Sequence, residues 1–215
     1  METRFVDELH SAIVGKKHII WDWNGTLLDD VSHAIGVMNG LLSERRLPHL
    51  TRERYRQVFN FPVRGFCETL GFDFEKESFD QVCHKFVDQF MEGFRELPLV
   101  PEMKAVLFQL HTDGLSQSVL SATDQPNLDA MIHHFELKSV FSHVFGIDNK
   151  HAVSKVERGH ELIRNTKFAL SETVIIGDTL HDLEVANALG IDAVLISHGH
   201  QCQTRLRSHH SVVIV

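Results

Sequence analysis

Residues 20–30 read Ile20-Trp21-Asp22-Trp23-Asn24-Gly25-Thr26-Leu27-Leu28-Asp29-Asp30. The apolar run Ile19-Ile20-Trp21 has the character of a buried strand, and it delivers one carboxylate, Asp22, to its end. The chain then breaks at Asn24-Gly25, a pair that tolerates positive φ. A carboxylate at the carboxyl end of a buried strand, next to a loop of free backbone N–H groups, is suited to bind a phosphoryl group and attack it.

Similar apolar runs recur along the chain. Strands are expected at 18–23, 116–121, 140–146, 173–177, 192–196 and 211–215, several of them β-branched and flanked by Gly, Asp or Ser. Helical spacing lies between them. At 101–113, Pro101 suits the first helical position, Met103, Val106, Leu107 and Leu110 share one face, and Gly114 ends the helix. At 125–135, Pro126 opens a second such pattern carried by Leu128, Met131, Ile132 and Phe135. Strands alternating with helices indicate an α/β fold, a Rossmann-like parallel sheet with helices on both faces.

The interval 31–96 departs from this rhythm, because it carries helical patterns only. Nine of the 15 phenylalanines fall between 59 and 94, too dense for a surface loop. The segment is expected to be a small helical cap inserted after the first strand, with its own core. Residues 1–30 and 97–215 would form the main domain, with hinges near 29–31 and 96–100. The phenylalanine stripe is read as packing in preference to a ligand pocket. Residues 59–66 are the expected cap loop facing the site, and Ser197–Gln201 is expected to border the cleft.

Composition narrows the partners. The chain has 215 residues, 43% hydrophobic and 23% charged, enough for a packed core. A net charge of −8 disfavours nucleic acid. No apolar run reaches the roughly 20 residues that span a bilayer, so no membrane association is expected. The acidic and basic residues near the N-terminus do not form a secretory pattern. The three cysteines Cys67, Cys83 and Cys202 have no metal spacing and fit a reducing cytoplasm. The 16 histidines are scattered, without a zinc-site pattern.

Four groups fall at four expected strand ends: Asp22 with Asn24 and Thr26; Ser121 with Ala122; Lys155, with Lys150 as competitor; and Gly177-Asp178-Thr179-Leu180-His181-Asp182. In order and spacing they resemble the haloacid dehalogenase superfamily, which is dominated by magnesium-dependent phosphatases, and the helical insert resembles the cap of phosphoglycolate-phosphatase-like members. The resemblance covers the whole chain. It implies Mg²⁺ held by Asp22, the Asn24 carbonyl, Asp178 and Asp182. It also implies a nucleophilic Asp22, and a phosphoryl group held by Thr26, Ser121, Ala122 and Lys155. The expected partner is a small phosphorylated metabolite, and the expected state a monomer or homodimer. Plainer roles compete: Asp178 as a helix cap, Asp182 as a solvated surface acid, Lys155 as an exposed helix residue, His181 as part of the rim. Arg64 is a candidate to grip a second anionic group, though an exposed surface arginine is the commoner role.

Asn24 breaks the pattern. Most of these phosphatases carry Asp there, to protonate the leaving group and then activate water, whereas an amide neither gives nor takes a proton at neutral pH. Three readings follow. The first is a slow or selective phosphatase whose substrates leave easily. The second is a carbon–phosphorus hydrolase, disfavoured because no lysine lies between Lys17 and Lys76 for a Schiff base. The third is a phosphate- and metal-binding module with little turnover. A phosphoacceptor receiver domain is disfavoured by the insert, and a metal-free dehalogenase by the paired acids Asp178 and Asp182. Deamidation of Asn24-Gly25 to Asp is a further chemical route, open to intact-mass measurement.

Overall fold

The computed structural model describes residues 2–147 and 155–215. Six strands form one parallel sheet: β1 (His18–Trp21), β2 (Ser116–Asp124), β3 (His143–Ile147), β4 (Thr173–Gly177), β5 (Asp192–Ile196) and β6 (Val213–Ile214). Their order is β3-β2-β1-β4-β5-β6. β1 sits between β2 and β4, with Trp21 opposite Val119 and Ile176. The chain leaves β1 in opposite directions across the sheet, so a crevice opens beyond the carboxyl ends of β1 and β4.

Alternation along the strands divides the core. Ile19, Trp21, Val119, Val174 and Ile176 face one cluster, and Ile20, Leu120 and Ile175 face another. The first is covered by α1 (Glu2–Ala12), α6 (Met103–Thr112) and α7 (Gln125–His134) through residues such as Leu9, Leu107 and Met131. The second is covered by α8 (Lys155–Asn165) and α9 (Leu180–Leu189) through Leu162, Val185 and Leu189. Both faces are dry, which is why the strands read as continuous apolar runs. The short α10 (Gln203–Arg207) precedes β6.

Several boundaries differ from the sequence reading. β1 stops at Trp21, because the Trp23 carbonyl accepts the N–H groups of Thr26, Leu27 and Leu28 in a tight loop. β2 runs on to Asp124 through a register irregularity after Leu120, which carries Thr123 over the end of β1. β3 starts at His143, since Val140 lies in a turn hydrogen-bonded to Leu137. Pro101 does not open α6. Val100 N–H bonds the Leu27 carbonyl, so the chain there is extended, and the helix is entered through Glu102 at φ +64°.

Residues 31–93 form α2 (Val31–Glu44), α3 (Arg52–Val58), α4 (Val63–Thr69) and α5 (Phe79–Gly93). Their cluster contains Val31, Ile35, Leu41, Leu42, Tyr55, Phe66 and Phe72. It is not sealed off from the rest. Phe86 touches both this cluster and the core of the sheet, while Phe90 and Phe94 belong to the latter. The two connecting segments pair with each other: Leu28 bridges Leu99, and Asp29 N–H bonds the Pro98 carbonyl at 3.0 Å.

Candidate active site

Asp22 follows β1 directly, its N–H bonded to the Ile176 carbonyl, so its position is set by the sheet. Its carboxylate Oδ1 accepts from Lys155 Nζ at 2.6 Å. The same ammonium donates to Asp182 Oδ1 at 2.5 Å. Lys155 is 2% exposed, far from the solvated helix residue that its type suggests. Lys150 and Ser154 lie outside the described residues.

Asp178 and Asp182 are both buried. Asp178 does not cap α9. That position belongs to Thr179, whose N–H and hydroxyl both donate to Asp182 Oδ2, at 3.0 and 2.8 Å. Asp182 is therefore not a solvated acid. It reaches back from the first turn of α9, while Asp178 stands at the end of β4. Asp178 Oδ1 accepts from the Thr26 hydroxyl at 3.2 Å, and Oδ2 accepts from the His200 N–H. Carboxylate oxygens of Asp22, Asp178 and Asp182 lie within 4.8 Å of one another.

Such crowding requires backbone without side chains. A Cβ on Gly25, at φ +70°, would sit 2.4 Å from Asp178 Oδ2, and one on Gly199 would sit 2.1 Å from the same oxygen. The Asn24-Gly25 break thus serves close approach as well as the turn.

Two of the carboxyls pay for their burial in basicity. Asp22 is pushed up to about 7 by burial, with Asp182 and Asp178 adding to the effect against the pull of Lys155. Asp178 is pushed up to about 6, again by burial first. Asp182 is held below its ordinary value, because Lys155 and Thr179 outweigh burial. Lys155 is raised, since two carboxylates outweigh the same penalty.

A second polar cluster adjoins the first, and the sequence reading missed it. Asp30 is 1% exposed and accepts from Gly25 N–H at 2.7 Å and from Asn24 Nδ2 at 2.8 Å. His200 Nε2 lies 3.3 Å from Asp30 Oδ1, and His200 Nδ1 lies 2.8 Å from the Tyr55 hydroxyl. Burial opposes charge on His200, but Asp30 and the other carboxylates overcome it and raise the imidazole to about 9. Asp30 occupies the N-cap position of α2, where sequence logic assigns a capping role. Instead its side chain turns back into the loop and makes no cap hydrogen bond. The Thr123 hydroxyl donates to Asn24 Oδ1 at 2.7 Å, so both ends of the amide are engaged.

These groups line one cavity of about 200 Å³ between the sheet end and the inserted helices. Asp22, Asn24, Ser121, Ala122, Lys155 and Asp178 lie on the sheet side. The loop 59–66 supplies Phe59, Phe61, Val63 and Phe66, and α5 supplies Phe86 and Phe90. The phenylalanine stripe therefore packs and also walls a pocket, against the expectation of packing alone. His200, from the 197–201 segment, and His181, stacked on Phe61 at 4.6 Å, border it.

Two candidate ligand contacts are engaged elsewhere, and for Arg64 the commoner surface role is the one seen. Thr26 is fully buried, with its hydroxyl on Asp178. Arg64 points away from the cavity. It pairs with Glu68 at 3.1 Å and lies over Phe74 and Phe79, because Val63 and Phe66 take the inward face of α4. The lysines of the insert, Lys76 and Lys85, are exposed and paired with Asp73 and Glu44, so neither is placed for a Schiff base.

Residues 19–196 match the profile of the haloacid dehalogenase-like hydrolases. The chain belongs to this family. A phosphoglycolate phosphatase of Synechococcus elongatus is 23% identical over 181 residues, 84% of each chain. A 5'-nucleotidase of Pseudomonas aeruginosa is 24% identical over 213 residues, covering 94% of this chain and 91% of its own. Among solved structures, a haloacid dehalogenase-like hydrolase of Streptococcus pneumoniae superposes with a TM-score of 0.67 over 93% of both chains at 20% identity, a likeness of fold. Among the described residues no helix is long and apolar enough to cross a membrane.

Proposed function

We propose that this family member is a magnesium-dependent phosphatase acting on a small phosphate monoester, with Asp22 as nucleophile and the segment 31–96 as its cap. The convergence of Asp22, Lys155 and Asp178 in the lining of one cavity, with Asp182 beside them, carries the reading.

The residues fit a divalent cation. Four buried carboxyls (Asp22, Asp30, Asp178, Asp182) face two buried cationic side chains, Lys155 and His200, which leaves two negative charges in excess once Asp22 and Asp178 are ionised. Hard oxygen donors in this arrangement suit Mg²⁺. Asp22 and Asp178 would hold it, with the Asn24 carbonyl as a further donor. Asp182, whose oxygens accept from Lys155 and Thr179, stands within reach of the same point as a third carboxylate. When bound, the cation supplies positive charge between nucleophile and phosphoryl group.

The chain's own residues account for the rest. Lys155 keeps Asp22 aimed, and it neutralises a phosphoryl oxygen as a point charge. Ser121, whose Oγ now accepts from Thr123 N–H, has a proton to donate to another. Asp22 Oδ attacks phosphorus, the phosphorus–oxygen ester bond breaks, and its electron pair leaves on the alkoxide or phenoxide. Water then attacks the phosphorus of the aspartyl-phosphate, freeing the Asp22 carboxylate and inorganic phosphate. The proton lost by that water balances the one taken up by the leaving group. Asn24 offers no proton to either step, so turnover is slow for poor leaving groups.

A phosphate-release assay tests this. Acetyl phosphate and phenyl phosphate should be hydrolysed with magnesium and not with a chelator, and Asp22→Asn should remove at least 10³-fold of the rate. Undiminished release by Asp22→Asn would refute the assignment. The bound state of the Asn24 amide favours one second reading, a binding module with negligible turnover. It would show magnesium-dependent phosphate binding without release from any ester. The free thiols of Cys67, Cys83 and Cys202 are in keeping with a cytoplasmic setting.

A further inference from the structure

We propose that the cavity selects phosphate monoesters of an apolar, ring-bearing alcohol, above all a phenol, with no second anionic group. This rests on the phosphatase reading and names its substrate class.

Two independent observations converge on it. The first is the wall of the cavity. From the inserted helices it takes Phe59, Phe61, Phe66, Phe86, Phe90 and Met38 among others, side chains that offer an apolar leaving group a dry surface. Among the described residues, no arginine and no lysine other than Lys155 lines it. Lys155 is held by Asp22 and Asp182, and His200 by Asp30. Arg64 is turned outward on Glu68. Arg56 reaches the 197–201 loop but spends its guanidinium on the carbonyls of Ser197, Gly199 and Gln201. Asp124 also lines the cavity and repels a second anion. A cavity of about 150 Å³ admits benzene, so about 200 Å³, which must also take the phosphoryl group, limits the alcohol to one ring.

The second observation is the amide at position 24. Its Nδ2 donates to Asp30 and its Oδ1 accepts from Thr123, so it has no proton to pass to a departing oxygen. An alkoxide, with a basicity close to that of hydroxide (water, about 15.7), needs such a proton. A phenoxide, at about 10, leaves without it. The same class of ester thus satisfies both the wall and the missing acid.

The test compares phosphonates, which bind without being cleaved, by calorimetry on the full chain with magnesium. Phenylphosphonate should bind at least tenfold more tightly than methylphosphonate, and phosphonoacetate, with its second anion, should bind most weakly. Phe61→Ala should cut the phenyl preference at least threefold; this side chain contacts Phe59 and His181 and belongs to none of the core clusters. Phosphonoacetate binding as tightly as phenylphosphonate would overturn the proposal. Acetyl phosphate turnover separates the two readings. Hydrolysis without a phenyl preference leaves the phosphatase standing and sinks the selectivity. A phenyl preference without hydrolysis of any ester does the reverse.

Discussion

At the scale of single residues, the contact between Asn24 and Asp30 matters most. A carboxylate introduced by Asn24→Asp would face the Asp30 carboxylate across the 2.8 Å now spanned by a hydrogen bond. Two carboxylates that close share one proton, with one member raised strongly. The single substitution should therefore recover only part of the roughly 10²–10⁴ that a general acid supplies. Exchanging the pair, Asn24→Asp with Asp30→Asn, restores the bond with the charge moved to position 24. It should exceed the single variant in kcat for an alkyl phosphate such as methyl phosphate. Equal rates for the two would show that Asp30 does not restrain the site. The lack of an acid at position 24 was legible in the sequence; its anchoring on Asp30 was not, because an Asp just before a helix reads first as a cap.

At the scale of elements, α3 and α5 tie the inserted helices to the sheet. Arg56 on α3 bonds three backbone carbonyls of the 197–201 segment, and Gln201 and Arg205 bond the Phe59 carbonyl in return. Arg56→Met should therefore raise KM for phenyl phosphate more than it lowers kcat, since it loosens the wall without touching Asp22. An unchanged KM would argue that these bonds do not hold the cavity. α5 was legible as a helix from its phenylalanine spacing, and it is closed by a Ser78–Gln81 capping box. Its division between two cores was not legible, since periodicity reports one apolar face and not its partners. Phe90, 6% exposed and in the core of the sheet, should cost about 3–5 kcal/mol when cut to alanine, measured by urea unfolding.

At the scale of the whole molecule, the buried charges set how stability depends on pH. Asp22 and Asp178 have folded values raised to about 7 and about 6, so the folded state binds protons more tightly and their burial costs stability as pH rises through that range. His200, raised to about 9, contributes stability fully below its ordinary 6.5 and loses it toward 9. Asp30 and Asp182, held low, contribute above about 4 and lose that as pH falls further. The metal-free protein should therefore be most stable in weak acid, with a urea midpoint that falls between pH 5.5 and 9. On the proposed reading magnesium would compete with the protons on Asp22 and Asp178, so its stabilisation should grow over the same interval. At a hundredfold excess over Kd it amounts to about 2.7 kcal/mol. A magnesium increment independent of pH would mean that these two carboxyls do not bind it.

Order along the chain was enough to read the α/β parallel sheet and the resemblance to the haloacid dehalogenases, because apolar runs and turn residues are local signals that survive without tertiary contacts. Local signals also marked Asn24 as the departure. Folding alone decided which acids crowd together around Lys155, that Thr26 serves Asp178, that Arg64 turns outward, and that the phenylalanines enclose space as well as fill it. Those outcomes depend on which side chains meet across more than a hundred residues, as Lys155 meets Asp22, and on a low-dielectric interior that no local pattern encodes.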